Sequence, residues 1–141
     1  MLAVSFAPSG MMRVLLIDDD PAAILLVELA LQEADMDVDF TSEGSVQAAR
    51  ARLAAGCEHG GLPDIVLLDL NLPDGSGHDL LIAMKQNPAL RRIPVVILST
   101  SSYEPDIERA TYNGAAAYYV KPSGFIELVA LMRELPRHLA N

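Results

Sequence analysis

Asp18, Asp19 and Asp20 stand in a row at the end of the apolar run RVLLID (Arg13–Asp18), and Asp69 lies at the end of a second run, IVLLDL (Ile65–Leu70). Ser99 closes a third run, PVVILS (Pro94–Ser99), and Lys121 follows a fourth, AYYV (Ala117–Val120). Gathered in one place, the carboxylates would repel: two of them about 4 Å apart cost roughly 4 kcal/mol at an effective dielectric of ~20. Such a cluster calls for a cation. All-oxygen ligands with open positions suit hydrated magnesium better than calcium. His59, His78, His138 and the single Cys57 are too scattered to suggest zinc. Carboxylate, magnesium, lysine and hydroxyl are the parts of a phosphoryl-transfer site. The carboxylate attacks phosphorus, the metal neutralises the equatorial oxygens, and the lysine and hydroxyl stabilise the phosphoryl group.

Taken one at a time, these residues have plainer readings. Asp18–Asp20 suits a solvated turn as well as a metal site, and Asp20 suits a helix cap. Asp74, in PDGSG, reads as a turn residue. Ser99 alone is an ordinary strand-end serine, Lys121 alone a surface lysine, Tyr118 a packing residue and Cys57 a loop thiol. Asp69 is harder to dismiss, because a charge following IVLL in a buried strand costs too much without a partner.

The elements that must position them alternate. Short β-branched and leucine runs read as strands buried on both faces: Arg13–Asp18, Val38–Thr41, Ile65–Leu70, Pro94–Ser99 and Ala117–Val120. Between them the pattern predicts helices over Pro21–Ala34, Ser45–Ala55, His78–Gln86 and Pro105–Asn113, with a last helix over Phe125–Leu139. Pro21 suits a first helical position, and Gly114 a C-terminal stop. Gly56–Pro63, Asn71–Gly77 and Thr100–Glu104 read as loops. Five strand–helix repeats give an α/β domain with a parallel sheet and right-handed crossovers. Ligands of such sheets sit beyond the carboxyl ends of the strands, where all four runs deliver their polar residues.

Composition narrows the function. The chain has 141 residues, 51% of them hydrophobic, enough for one domain with a real core. Its net charge is −9 and its basic residues are scattered, so direct nucleic-acid binding is not expected. One cysteine allows no internal disulfide. No apolar run approaches the ~18 residues of a membrane span, and Met1–Gly10 lacks the basic start of a signal peptide. A cytoplasmic protein without a membrane segment is expected, with residues 1–12 a flexible extension ahead of a domain over 13–141.

The motifs LLIDDDP (15–21), IVLLDLNLPDGSG (65–77), PVVILST (94–100) and AYYVKP (117–122), in that order, resemble the receiver domain of two-component response regulators. The resemblance runs from Arg13 to the C-terminus and implies a flavodoxin-like (βα)5 fold with strand order 2-1-3-4-5. It implies Asp69 as phosphoacceptor, with Asp18, Asp19, Asp69 and the Asn71 backbone carbonyl holding Mg2+. It also implies Ser99 and Lys121 as phosphoryl contacts, Ser99 and Tyr118 as the switch pair, a cis Lys121–Pro122 bond, and Asn71 and Ser101 as positions that tune phosphoryl lifetime. Thr100, where alanine is common, crowds the entrance. The long Gly56–Leu62 loop and the run Ser99–Ser102 resemble stand-alone receivers, including those paired with bacterial phytochromes.

Two surfaces follow. On the first helix Ala23, Val27, Ala30, Leu31 and Ala34 share one apolar face, while Leu25 and Leu29 fall among Glu28, Gln32 and Glu33 on the other. The resemblance implies that this second face docks on a sensor histidine kinase. It also makes the Pro105–Asn141 face a dimerisation surface. No effector domain follows the last helix, so output through protein–protein contact is expected. Two other functions compete: an aspartyl-phosphate-forming phosphatase, and a scaffold independent of phosphorylation. Haloacid-dehalogenase-type phosphatases need a second aspartate two residues after the nucleophile. Asn71 stands there, arguing against a turnover enzyme, and the intact set Asp18, Asp19, Asp69, Ser99 and Lys121 argues against the scaffold.

Overall fold

A computed structural model of the chain describes residues 11–140. Residues 1–10 of the expected extension, and Asn141, lie outside the described residues. Five parallel strands form one sheet: β1 (Met12–Ile17), β2 (Val38–Glu43), β3 (Ile65–Leu68), β4 (Val95–Ser99) and β5 (Ala117–Val120). Their order is β2-β1-β3-β4-β5, the expected flavodoxin-like one. Met12, expected in the extension, belongs to β1 and is buried.

Strand alternation divides the core between the two faces of the sheet. Val14, Leu16, Ile65, Leu67, Val96 and Leu98 pack under α1 (Pro21–Glu33) and α5 (Phe125–Glu134). Leu15, Ile17, Val66, Leu68, Val95 and Ile97 pack under α2 (Val46–His59), α3 (Gly77–Gln86) and α4 (Glu104–Tyr112). A strand covered on both sides must be apolar at every position, which is why β1, β3 and β4 read as unbroken runs. Each Leu, Ile or Val so buried contributes about 1.5–3 kcal/mol.

Several expected boundaries change, three of them for a plain physical reason. β2 extends to Glu43, because Ser42 and Glu43 continue the register opposite Leu16 and Ile17. α2 runs to His59, so Cys57 and His59 lie on its last turn and not in a loop. Gly56 does not stop the helix; its bare Cα leaves room for Leu62, whose Cδ2 would come within 2.7 Å of an added Cβ. Gly60, with φ of 84°, ends the helix. At the C-terminal end α5 stops at Glu134 and Leu135–His138 forms a 3-10 turn, since Pro136 cannot donate the next helical hydrogen bond.

Candidate functional site

The carboxyl ends of β1, β3, β4 and β5 place the predicted residues along one edge of the sheet. Asp18 and Asp69 directly follow β1 and β3 and are 1% and 7% exposed, whereas Asp19 is open to solvent. One carboxylate oxygen from each of Asp18, Asp19 and Asp69 lies within 4.8 Å of the others. Lys121, just past β5, enters the same cluster. Its Nζ donates to Asp18 Oδ2 at 2.7 Å and to Asp69 Oδ2 at 3.4 Å.

The remaining polar groups are mostly used to shape the turns. Asp18 Oδ1 accepts from the Asp20 N–H, and Asp20 caps α1 by accepting from the Ala22 N–H, as its position before Pro21 suggests. Asn71 donates its N–H to Asp69 Oδ1 at 3.3 Å, and its side chain is exposed. Ser99 is fully buried and accepts the Ser101 N–H at 3.1 Å. Tyr118 is half-buried against the α2–α4 side of the core and donates its hydroxyl to the Ser101 carbonyl.

Charge at the site is unevenly balanced. Burial raises the Asp69 carboxyl above its usual range; Lys121 and the Asn71 N–H work against that rise, and Asp18 adds to it. For Lys121, burial alone would lower the ammonium, yet Asp18 and then Asp69 carry it above its ordinary value. Among the described residues, a single ammonium faces the three acids. The donor set, all oxygen and partly open to solvent, suits a hard divalent cation that would complete the neutralisation.

One expected feature is absent. There is no cis peptide bond among the described residues, so Lys121–Pro122 is trans. The Lys121 N–H is held by the Ser99 carbonyl at 2.7 Å, and the trans form is the intrinsically favoured one by about 0.5–1 kcal/mol.

Three residues carry more than their sequence context announced. Gly77 packs its Cα against the phosphoacceptor candidate's own backbone: an added Cβ would lie 2.3 Å from the Asp69 carbonyl oxygen. Only its place in a glycine-rich loop hinted at this. Asp74 is more than a turn residue, for its two oxygens accept the Val46 and Gln47 N–H groups and cap α2 from across the loop. His78 is buried and faces Asp106, 28 residues away, a separation with no sequence signal.

Residues 14–133 match the model of the response regulator receiver domain. The chain belongs to the response regulator receiver family. This receiver is 38% identical over 122 residues to the response regulator Rcp1 of Synechocystis sp., covering 85% of this chain and 83% of that protein. Among solved structures, the phosphorylated cyanobacterial phytochrome response regulator RcpA superposes with a TM-score of 0.82 at 30% identity, covering 92% of this chain and 94% of that one. The Mn(2+)-bound form of Rcp1 superposes with a TM-score of 0.79 at 32% identity, over 88% and 91% of the two chains. Similarity to phytochrome response regulators fits the subgroup that the loop features suggested. Among the described residues, no helix is long and apolar enough to cross a membrane.

Proposed function

We propose that Asp69 of this response regulator takes a phosphoryl group from a histidine of a sensor kinase and carries it as an aspartyl phosphate. The observation that supports this most is the buried Asp69 carboxylate, gathered with Asp18 and Asp19 and reached by the Lys121 ammonium. Asp69 Oδ attacks phosphorus as the P–N bond to the kinase histidine breaks. Lys121 then turns from the carboxylates to the phosphoryl oxygens, and the Ser99 hydroxyl donates to another. Asp18, Asp19, Asp69 and the Asn71 carbonyl would hold Mg2+, which neutralises phosphoryl charge when bound. The Mn(2+)-bound form of Rcp1 supports a divalent ion here. Tyr118 senses Ser99 through Ser101, and Asn71 and Ser101 flank the phosphoryl group and tune its lifetime.

The protein acts by contact and is not a turnover enzyme, in keeping with Asn71 two residues after Asp69. The partner is a sensor histidine kinase of the phytochrome type, a reading supported by the likeness to RcpA and Rcp1, and the protein works in the cytoplasm. The kinase docks on α1, where Leu25 and Leu29 are exposed and Leu26 joins them. The Pro105–Asn141 face, with Tyr112 exposed on α4, serves for homodimerisation.

Incubation with Mg2+ and acetyl phosphate tests the chemistry, the P–O bond to acetate breaking in place of P–N. One acid-stable, base-labile phosphate per chain by mass is expected, and none with Asp69→Asn. Label that persists in that variant refutes the assignment.

A further inference from the structure

Ser101 uses every polar group it has. Its N–H donates to Ser99 Oγ, and its carbonyl accepts the Tyr118 hydroxyl. Its hydroxyl donates to Asp106 Oδ2 at 2.7 Å while accepting the Tyr103 N–H at 3.2 Å. Asp106, in the first turn of α4, turns its other oxygen to His78 Nε2 at 3.3 Å. A carboxylate offers only lone pairs, so His78 must donate from Nε2. The ring is 3% exposed, and its Nδ1 is buried without a hydrogen-bond partner among the described residues. An unpaired buried nitrogen is a cost that a space-filling side chain would not carry, which points to the Nε2–Asp106 bond as the reason for a histidine here. Ser101, with smaller help from His78 and Arg109 and against the effect of burial, also holds the Asp106 carboxyl below its usual range.

The chain Ser99–Ser101–Asp106–His78 therefore spans β4, the loop after it, α4 and α3. Its far end is covalently next to Gly77, which abuts the Asp69 carbonyl. With the Ser101 N–H occupying one lone pair of Ser99 Oγ, the Ser99 proton is left for another acceptor. We infer that Asp106 and His78 are positioning residues for the phosphoryl switch: acting through Ser101, they hold the Ser99 hydroxyl oriented as a donor. This rests on the reading of Asp69 as phosphoacceptor.

The test is a double-mutant cycle on the rate of labelling by acetyl phosphate, with Mg2+ affinity measured by calorimetry and urea unfolding as a check of folding. Asp106→Ala and Ser101→Ala should each slow labelling roughly tenfold, the scale of one hydrogen bond to a charged group. The double variant should be no slower than either single one, since both act through the same bond. Asp106→Asn keeps an oxygen for the Ser101 hydroxyl and should recover to within about threefold of wild type, and His78→Gln should lose about threefold, each a fraction of that same bond. Mg2+ affinity should not move. Additive losses in the double variant, failure of Asp106→Asn to recover, or wild-type rates in Asp106→Ala overturn the inference while leaving Asp69 intact. Were Asp106→Ala to fold poorly, Asp106→Asn and His78→Gln would decide alone. A wild-type protein that takes no label refutes the Asp69 reading, and this inference with it.

Discussion

Replacing Asp69 by Asn should make the metal-free protein more stable. Asp69 has two acidic neighbours with oxygens within 4.8 Å, and each such pair repels by about 3–4 kcal/mol at an effective dielectric of ~20. Lys121 Nζ, 3.4 Å from Asp69 Oδ2, returns about 5 kcal/mol on the same scale. Solvent screens the share of the exposed Asp19. With the Asp19 share screened, attraction to Lys121 offsets the repulsion, and burial of the carboxylate, the largest influence raising its pKa, leaves the ionised form destabilising by about 1–2 kcal/mol. Urea unfolding in EDTA at pH 7 should show Asp69→Asn more stable by that amount. The sign with pH is fixed: the raised folded value makes the neutral acid the favoured form, so wild type gains on the variant as pH falls toward the carboxylate range. Millimolar Mg2+ should reverse the order, because only the intact site gains by mass action. A variant less stable than wild type in EDTA, or a gap indifferent to both pH and Mg2+, would refute this account of the charge cluster.

Gly77→Ala should destabilise by about 2–3 kcal/mol or more in chemical denaturation, because the new methyl meets the Asp69 carbonyl and the Leu70 Cα, neither of which can yield. Asp74→Ala should lower stability at neutral pH by uncapping α2. The Gln47 and Val46 N–H groups hold the Asp74 carboxyl below its usual value, so its contribution is present above the unfolded value and fades as pH falls through the folded one; parallel unfolding curves at pH 7 and pH 3 check this. Leu25→Ala with Leu29→Ala should leave acetyl phosphate labelling unchanged while slowing transfer from the kinase. Equal kinase rates would remove α1 as the docking face. Hydrogen exchange should be slower over 69–77 than over 99–103.

The sheet was readable because doubly covered strands must be apolar throughout, as IVLL and VVIL are; a comparable helical run, ILLV (Ile24–Val27), sits inside a longer segment opened by Pro21. The site was readable for a related reason: a polar residue terminating such a run falls at the carboxyl edge, and four runs did so. What escaped has a different character. Gly56 reads as a stop, and only the approach of Leu62 shows why a helix keeps it. The Asp74 cap reaches back 28 residues to α2, and His78–Asp106 joins two helices; neither pairing leaves a period or spacing to detect. Leu26 falls between the two faces of α1 on a helical wheel, which hides that it is 46% exposed. Pro136 marks the end of α5, a break that the helical apolar spacing continuing to Leu139 conceals.

The contact between Gly77 and the Asp69 backbone divides the molecule mechanically. On that side the nucleophile stands on an anvil: its carbonyl is wedged against α3, and its loop is pinned to α2 through Asp74. On the opposite side the segment from Ser99 to Tyr103 is held by hydrogen bonds that can be exchanged one for another. Phosphorylation of Asp69, as proposed, would be felt first on the exchangeable side, toward α4. Sequence drift on that side, outside the Ser99–Ser101–Asp106–His78 chain, can recruit new listeners, while drift on the other side is confined by a space too small for a methyl group.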